Sequence, residues 1–61
     1  MTPPKACIGD YIPEDDTYCR IVDITENDSE NLYHLDSGSI IGDRDFDEAD
    51  IRLESEIFET L

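Results

Sequence analysis

The sequence predicts a small, mainly β domain. Short apolar runs alternate with polar turn clusters along all 61 residues. Many of the apolar residues are β-branched or aromatic, and strands favour such side chains. The expected architecture is an SH3-like barrel or a β meander of four or five short strands with a short helix near the C-terminus. The alternative is an antiparallel sheet covered by a C-terminal helix.

The first two strands are expected in residues 6–12 and 18–24. The first ends at Pro13, because proline has no backbone N–H to donate to a β-ladder. In the second, Ile21 and Val22 are adjacent apolar residues and break the alternation typical of a strand. This break predicts either a β-bulge or burial on both faces.

Two further strands are expected after a polar loop. The loop covers residues 25–31 and the third strand residues 31–36. Ser37-Gly38 fits a tight hairpin that leads into residues 39–41. Gly42 then ends the strand or kinks the chain.

The last third of the chain has two interpretations. Asp45 and Glu48 could form a capping box at the start of a helix. Its apolar stripe would then be Phe46, Ala49, Leu53 and Ile57. Alternatively, residues 51–53 alternate as a closing strand does.

We expect residues 1–61 to form one domain, with residues 1–5 disordered and residues 54–61 as a possible tail. The tail could pack Ile57 and Phe58 on the core, mediate formation of a homodimer, or bind a partner's groove through Leu61 and its carboxylate. The residues expected to be largely buried in the core are Ile21, Leu35, Ile40 and Leu53.

Charge limits the choice of partner more than any other property. The chain has 17 acidic and 4 basic residues and a formal net charge of -13. A compact chain of this length is about 27 Å across, and duplex DNA of that length carries about 16 charges. Such a surface repels nucleic acids and anionic membranes and attracts basic proteins. The expected partner is therefore a basic nucleic-acid-binding protein.

Catalysis is not expected. His34 is the only histidine, and the sequence contains neither a nucleophile–base pairing nor a glycine-rich phosphate-binding motif. Residues 43–47 supply D-x-D-x-D with Glu54 at the twelfth position, which are ligand positions of an EF-hand calcium loop. However, Glu48 stands at the sixth position, where that loop needs glycine. We therefore predict no enzyme activity, no cofactor and no metal site.

The two cysteines, Cys7 and Cys19, are interpreted as small buried apolar side chains. A disulfide between neighbouring strands is the alternative, and it would need an oxidising compartment. The N-terminal sequence does not resemble a secretion signal, and no apolar run approaches the ~20 residues of a membrane span. A cytoplasmic location is therefore expected.

The densest acidic stretch is the predicted partner-binding site. If it is extended, its alternate carboxylates lie about 6.6–6.8 Å apart, a spacing comparable to that of phosphates along a DNA strand. The alternative is a solvated loop, or the first turn of a helix. The predicted binding residues are Asp43, Asp45, Asp47, Glu48 and Asp50.

Two function classes remain. The first is a DNA-mimic inhibitor that covers the basic nucleic-acid-binding surface of another protein. In charge and size alone, the chain resembles small acidic phage and plasmid proteins that block restriction, CRISPR or DNA-repair machinery. The second is a small β-barrel adaptor or subunit of a protein complex, in which acidity serves solubility. The two differ in how strongly binding should depend on salt.

Overall fold

The computed structural model describes residues 3–59, with the backbone alone at Glu59. Four antiparallel strands form one sheet in the order β1-β2-β3-β4. The meander curls into a half-barrel, which confirms the prediction of a mainly β fold. The strands are β1 (Tyr11–Glu14), β2 (Thr17–Asn27), β3 (Glu30–Leu35) and β4 (Ile40–Gly42).

The segment after β4 combines parts of both interpretations. Two 3-10 turns, Asp43–Asp45 and Glu48–Asp50, lead to a single β-bridge between Arg52 and Tyr11, and then to helix α1 (Glu54–Glu59). Tyr11 and Arg52 exchange two 2.8 Å backbone hydrogen bonds. After the two turns, the chain therefore makes one strand-like contact with the outer edge of β1. A closing strand would make the same kind of contact.

The predicted helical stripe from Phe46 to Ile57 is wrong, because the helix has six residues and begins at Glu54. The predicted capping box of Asp45 and Glu48 is also absent. Instead, the Asp45 carboxylate accepts a 2.8 Å hydrogen bond from the N–H of Gly42 and closes the first 3-10 turn.

The bounds predicted for β1 and for the loop at 25–31 need correction. β1 does not end at Pro13, which pairs with Tyr18, but extends to Glu14. β1 begins at Tyr11, because the preceding residues form a turn in which Gly9 has φ 101° and the N–H of Asp10 bonds to the Cys7 carbonyl. The predicted loop at 25–31 is mostly strand. Asp28 and Ser29 alone form the turn, with φ 51° and 66°. Two consecutive left-handed residues are typical of the tight turn that joins strands with native twist.

The predicted bulge lies at Val22. Ile21 pairs with Leu35 and Asp23 pairs with His34, so β2 has one residue more than β3 over this stretch. Because of the added residue, Ile21 and Ile24 both face the core although they are three apart. Val22 is turned outward and is 48% exposed.

The core lies on the concave side of the sheet. It consists of Ala6, Ile12, Cys19, Ile21, Tyr33, Leu35 and Phe46. Burial of Ile21 and Leu35 was predicted and is confirmed. Two expectations about the core are wrong, since Ile40 and Leu53 are each 55% exposed.

Strand register explains both errors. Ile40 pairs with His34 on the outer face of the edge strand, whereas Ile41 pairs with Tyr33 and packs on the core. Leu53 follows the single bridge at Arg52, where the chain has already left the sheet. Ile51, on the other side of that bridge, packs on the core.

The cysteines differ from each other. Cys19 is buried, as predicted, but Cys7 is exposed because it lies in the turn before β1. Both are free thiols. In the C-terminal helix, Ile57 is half-buried and Phe58 is 56% exposed, while Leu61 lies outside the described residues. Between residues 3 and 59, no helix is long and apolar enough to cross a membrane.

Candidate functional site

The candidate site is the acidic segment, residues 43–50, which leaves the sheet directly after β4. Its two 3-10 turns flank Phe46, which is buried. The Phe46 ring meets the Tyr33 ring edge to face, with 5.0 Å between centroids. The segment does not form the extended row of carboxylates that was one of its two interpretations, because it turns twice to insert Phe46 into the core.

Asp43 is turned toward the sheet. Its Oδ1 accepts a 2.5 Å hydrogen bond from the Tyr33 hydroxyl, and its Oδ2 accepts hydrogen bonds from the backbone N–H and side-chain amide of Asn31 at 3.3 and 3.2 Å. Desolvation by itself would raise the pKa of Asp43. The bonds from Tyr33 and Asn31, with the charge of Lys5, outweigh it and hold the pKa below the usual value.

Lys5 secures the same region from the N-terminal side. Its backbone N–H donates to the Tyr33 hydroxyl at 3.0 Å, and its ammonium donates to the Phe46 carbonyl at 2.5 Å. The ammonium also lies 4.6 Å from the centroid of the Phe46 ring, within the range of a cation–π contact. Burial and the bond to Asp43 raise the pKa of Tyr33 to about 12. The beginning of the acidic segment is thus fixed from two sides.

The five predicted binding residues therefore divide into two groups. The carboxylates of Asp43 and Asp45 accept hydrogen bonds that hold the segment in shape. Asp47, Glu48 and Asp50 are exposed, and Asp47 precedes the second turn without a side-chain bond to it. We call these last three residues the exposed trio. Within residues 3–59, the carboxylates of these three residues accept no hydrogen bond, so they can contact a partner without losing one.

Sequence patterns did not identify Lys5, Asn31 and Tyr33 as residues that position the site. A signal for two of them was present. Because Leu32 pairs with Gly42, the antiparallel register places Asn31 beside Asp43. Tyr33 shares the inward orientation of Asn31, two residues away. No local pattern points to Lys5.

Acidic side chains lie mainly around the sheet rather than on it. The exposed ones are found in the hairpin turns, in the acidic segment and in the C-terminal helix, with two on β2. They are Asp15, Asp16, Asp23, Glu26, Asp28, Asp36, Asp45, Asp47, Glu48, Asp50, Glu54 and Glu56.

Two of the four basic side chains donate hydrogen bonds to backbone carbonyls. The Lys5 ammonium donates to the Phe46 carbonyl, and the Arg52 guanidinium donates to the carbonyls of Ala49 and Ile51 at 2.7 and 3.0 Å. Both cations thus support the backbone of the acidic segment and its flank. The exposed carboxylates consequently sum to a strong negative field.

The outer face of the sheet, which is turned away from the core, differs from its surroundings. His34 pairs with Ile40 on β4, and Val22 lies at the bulge of β2 next to Asp23, the partner of His34 on that strand. Leu32 is two residues from His34 on the same face. Val22 and Ile40 are 48% and 55% exposed. We call these four residues the outer strip. It is an apolar area on a molecule whose periphery is acidic.

His34 has a simple structural neighbour. Its Nε2 lies 2.8 Å from the Thr25 hydroxyl on the adjacent strand. This contact joins two side chains of the outer face. Over residues 3–59, no group of three His, Cys, Asp or Glu side chains is placed to hold a metal ion.

Comparisons of the chain with models of known protein families, with curated protein sequences and with solved structures gave no match.

Proposed function

We propose that this protein is a non-enzymatic inhibitor that occupies the basic nucleic-acid-binding surface of a partner protein. The observation that carries the proposal is the exposure of acidic side chains around most of the periphery of a chain with net charge -13. A surface of this kind competes with nucleic acid for the same cationic residues.

The acidic segment gives this surface a defined shape. Phe46 in the core, Asp43 on Tyr33 and Asp45 on Gly42 fix the backbone that presents the exposed trio. A preorganised loop loses less conformational entropy on binding than a flexible acidic tail does. The proposal therefore assigns local recognition to the exposed trio and long-range attraction to the remaining acids.

The compartment belongs to the same proposal. Cys7 and Cys19 are free thiols. Free thiols suit a reducing cytoplasm, and we place the protein and its nucleic-acid-binding partner there.

Displacement of nucleic acid is the direct test. Proteins captured by the immobilised chain and eluted stepwise with salt would each be purified and loaded with a fluorescent duplex. Fluorescence anisotropy then measures whether the acidic protein releases the duplex. We expect release at low salt and a steep loss of affinity as ionic strength rises, because charged groups dominate the contact. Binding without release of the duplex would refute the proposal.

Matched variants separate a local site from a diffuse polyanion. Asp47→Asn, Glu48→Gln and Asp50→Asn together neutralise the exposed trio. Asp15→Asn, Asp16→Asn and Asp28→Asn remove the same charge from exposed turns, and asparagine tolerates the positive φ of Asp15 and Asp28. We expect the first triple variant to associate more slowly than the second. Equal weakening of both would argue against a local site.

An adaptor in a protein complex is the second candidate. Leu53 and Phe58 favour it, since both are more than half exposed near the C-terminal helix. An apolar contact through these residues would change little with salt, whereas an inhibitor of the proposed kind would lose affinity.

A further inference from the structure

The outer strip has the layout of the central part of an interface. At the bulge, Val22 and Asp23 together lie opposite His34, with Asp23 as its register partner, and His34 pairs with Ile40 on β4. Directly paired side chains on one face lie about 4.5–5.5 Å apart. Leu32 extends the row along β3 toward Gly42. Three of the side chains that flank this area are acidic: Asp23 pairs with His34, Asp36 follows the end of β3, and Asp28 lies in the turn before its start. Arg20, two residues before Val22 on β2, is the basic side chain among them.

This layout matches the general anatomy of protein interfaces, which have an apolar centre with few charges and a polar rim. It also limits what can cover the strip. A second copy of the chain would bring another net charge of -13 against the acidic rim, and like charges in contact are unfavourable. A surface with lysine or arginine around apolar side chains complements both the rim and the centre.

We infer that the outer strip is the docking surface for a basic protein segment that also carries exposed apolar side chains. This inference rests on the proposed function and deepens it, because it adds an apolar contact to the charge contact. The acidic rim attracts the partner, and burial of Val22 and Ile40 then holds it. A pure polycation meets only the rim and binds less tightly than an amphipathic one.

Two synthetic peptides with equal numbers of lysines test this inference on the intact chain. In one, leucine separates the lysines, and in the other, serine does. Fluorescence anisotropy at near-physiological salt compares their affinities. We expect the leucine peptide to bind about tenfold more tightly, because that ratio corresponds to burial of the exposed halves of two apolar side chains.

The test variant is Val22→Thr with Ile40→Thr. Threonine keeps the β-branched shape that strands favour, and both sites are about half exposed, so the fold is expected to persist. The matched control is Ile8→Thr with Leu53→Thr, which alters two apolar residues of similar exposure elsewhere. We expect the first variant to lose most of the tenfold preference and the control to keep it. Circular dichroism verifies the fold of both.

The remaining outcomes distinguish failure of this inference from failure of the proposed function. If both peptides bind equally well to every variant, the inference is overturned while the proposed function stands. If the control loses the preference as strongly as the test variant, the apolar contact lies elsewhere and the inference is also overturned. If neither peptide binds even at low salt, the proposed function fails too. A dimer that Val22→Thr with Ile40→Thr converts to monomer, seen by sedimentation, would assign the strip to a second copy.

Discussion

The Tyr33 hydroxyl donates a 2.5 Å hydrogen bond to Oδ1 of Asp43, and this bond joins the centre of the sheet to the start of the acidic segment. Tyr33 has a fully buried side chain, whereas Asp43 is half-buried at the surface. The position of the exposed trio thus depends on a contact made inside the domain. Changes in the protonation of Asp43 are expected to affect both stability and presentation of the acidic segment.

Acid should weaken the Asp43 contact. Because the folded-state pKa of Asp43 is lowered, its contribution to stability is complete above the unfolded value of about 3.9 and is lost as pH falls through the folded value. Asp43→Asn cannot ionise and serves as the reference. We expect the stability difference between wild type and Asp43→Asn, from urea unfolding, to be constant above about pH 5 and to shrink below about pH 4. A pH-independent difference would mean that ionisation of Asp43 does not stabilise the fold.

Salt should stabilise the isolated domain. Screening weakens repulsion among exposed carboxylates, and the Debye length falls to about 3 Å at 1 M. We expect the melting temperature to rise as NaCl increases to several tenths molar, and to rise less in the variant that neutralises the exposed trio. A flat or falling melting temperature would show that the carboxylates lie too far apart to destabilise the fold.

Core substitutions should follow the observed burial. Ile21→Ala and Leu35→Ala remove fully packed side chains and are expected to cost about 2–4 kcal/mol, enough to unfold much of a marginal domain. Ile40→Ala and Leu53→Ala should each cost less than about 1 kcal/mol, since both side chains are more than half exposed. Urea unfolding of all four variants measures these values. Similar losses at Ile40 and Ile21 would contradict the observed register of β4.

The β2–β3 turn should be improved by glycine. Ser29 has φ 66°, a conformation that glycine adopts without the steric cost of a side chain. We expect Ser29→Gly to stabilise the domain by about 0.5–1 kcal/mol. Ser29→Ala keeps the strain and is the control, with no gain expected. Thermal melts measure the difference in stability between the two variants. Equal stability of both would exclude strain at this turn.

The sequence was sufficient for those parts of the fold that depend on local pattern. The adjacent pair Ile21 and Val22 signalled the bulge, and Gly42 signalled the end of β4. Local pattern could not decide which of Ile40 and Ile41 faces inward. Strand pairing decides it, and a shift of one residue exchanges the two faces.

The candidate site was less predictable for a related reason. The acidic segment was recognisable from composition, but its shape depends on side chains distant in sequence. Phe46 enters the core beside Tyr33, and Lys5 lies across both. These tertiary contacts override an extended conformation that spacing alone allowed, so two of the five predicted residues have an internal structural role.

The bulge at Val22 also determines where β2 can change in length. Without Val22, Ile21 and Ile24 would be two residues apart, as in a regular strand, and both would still face the core. Deletion of Arg20 would instead place Cys19 directly before Ile21 and rotate Cys19 out of the core. It would also disrupt the pairing of Cys19 with Ile12. β2 can thus lose a residue at the bulge, either Val22 or Asp23, without moving an apolar side chain outward. Natural variants one residue shorter in this strand are expected to lack one of these two residues.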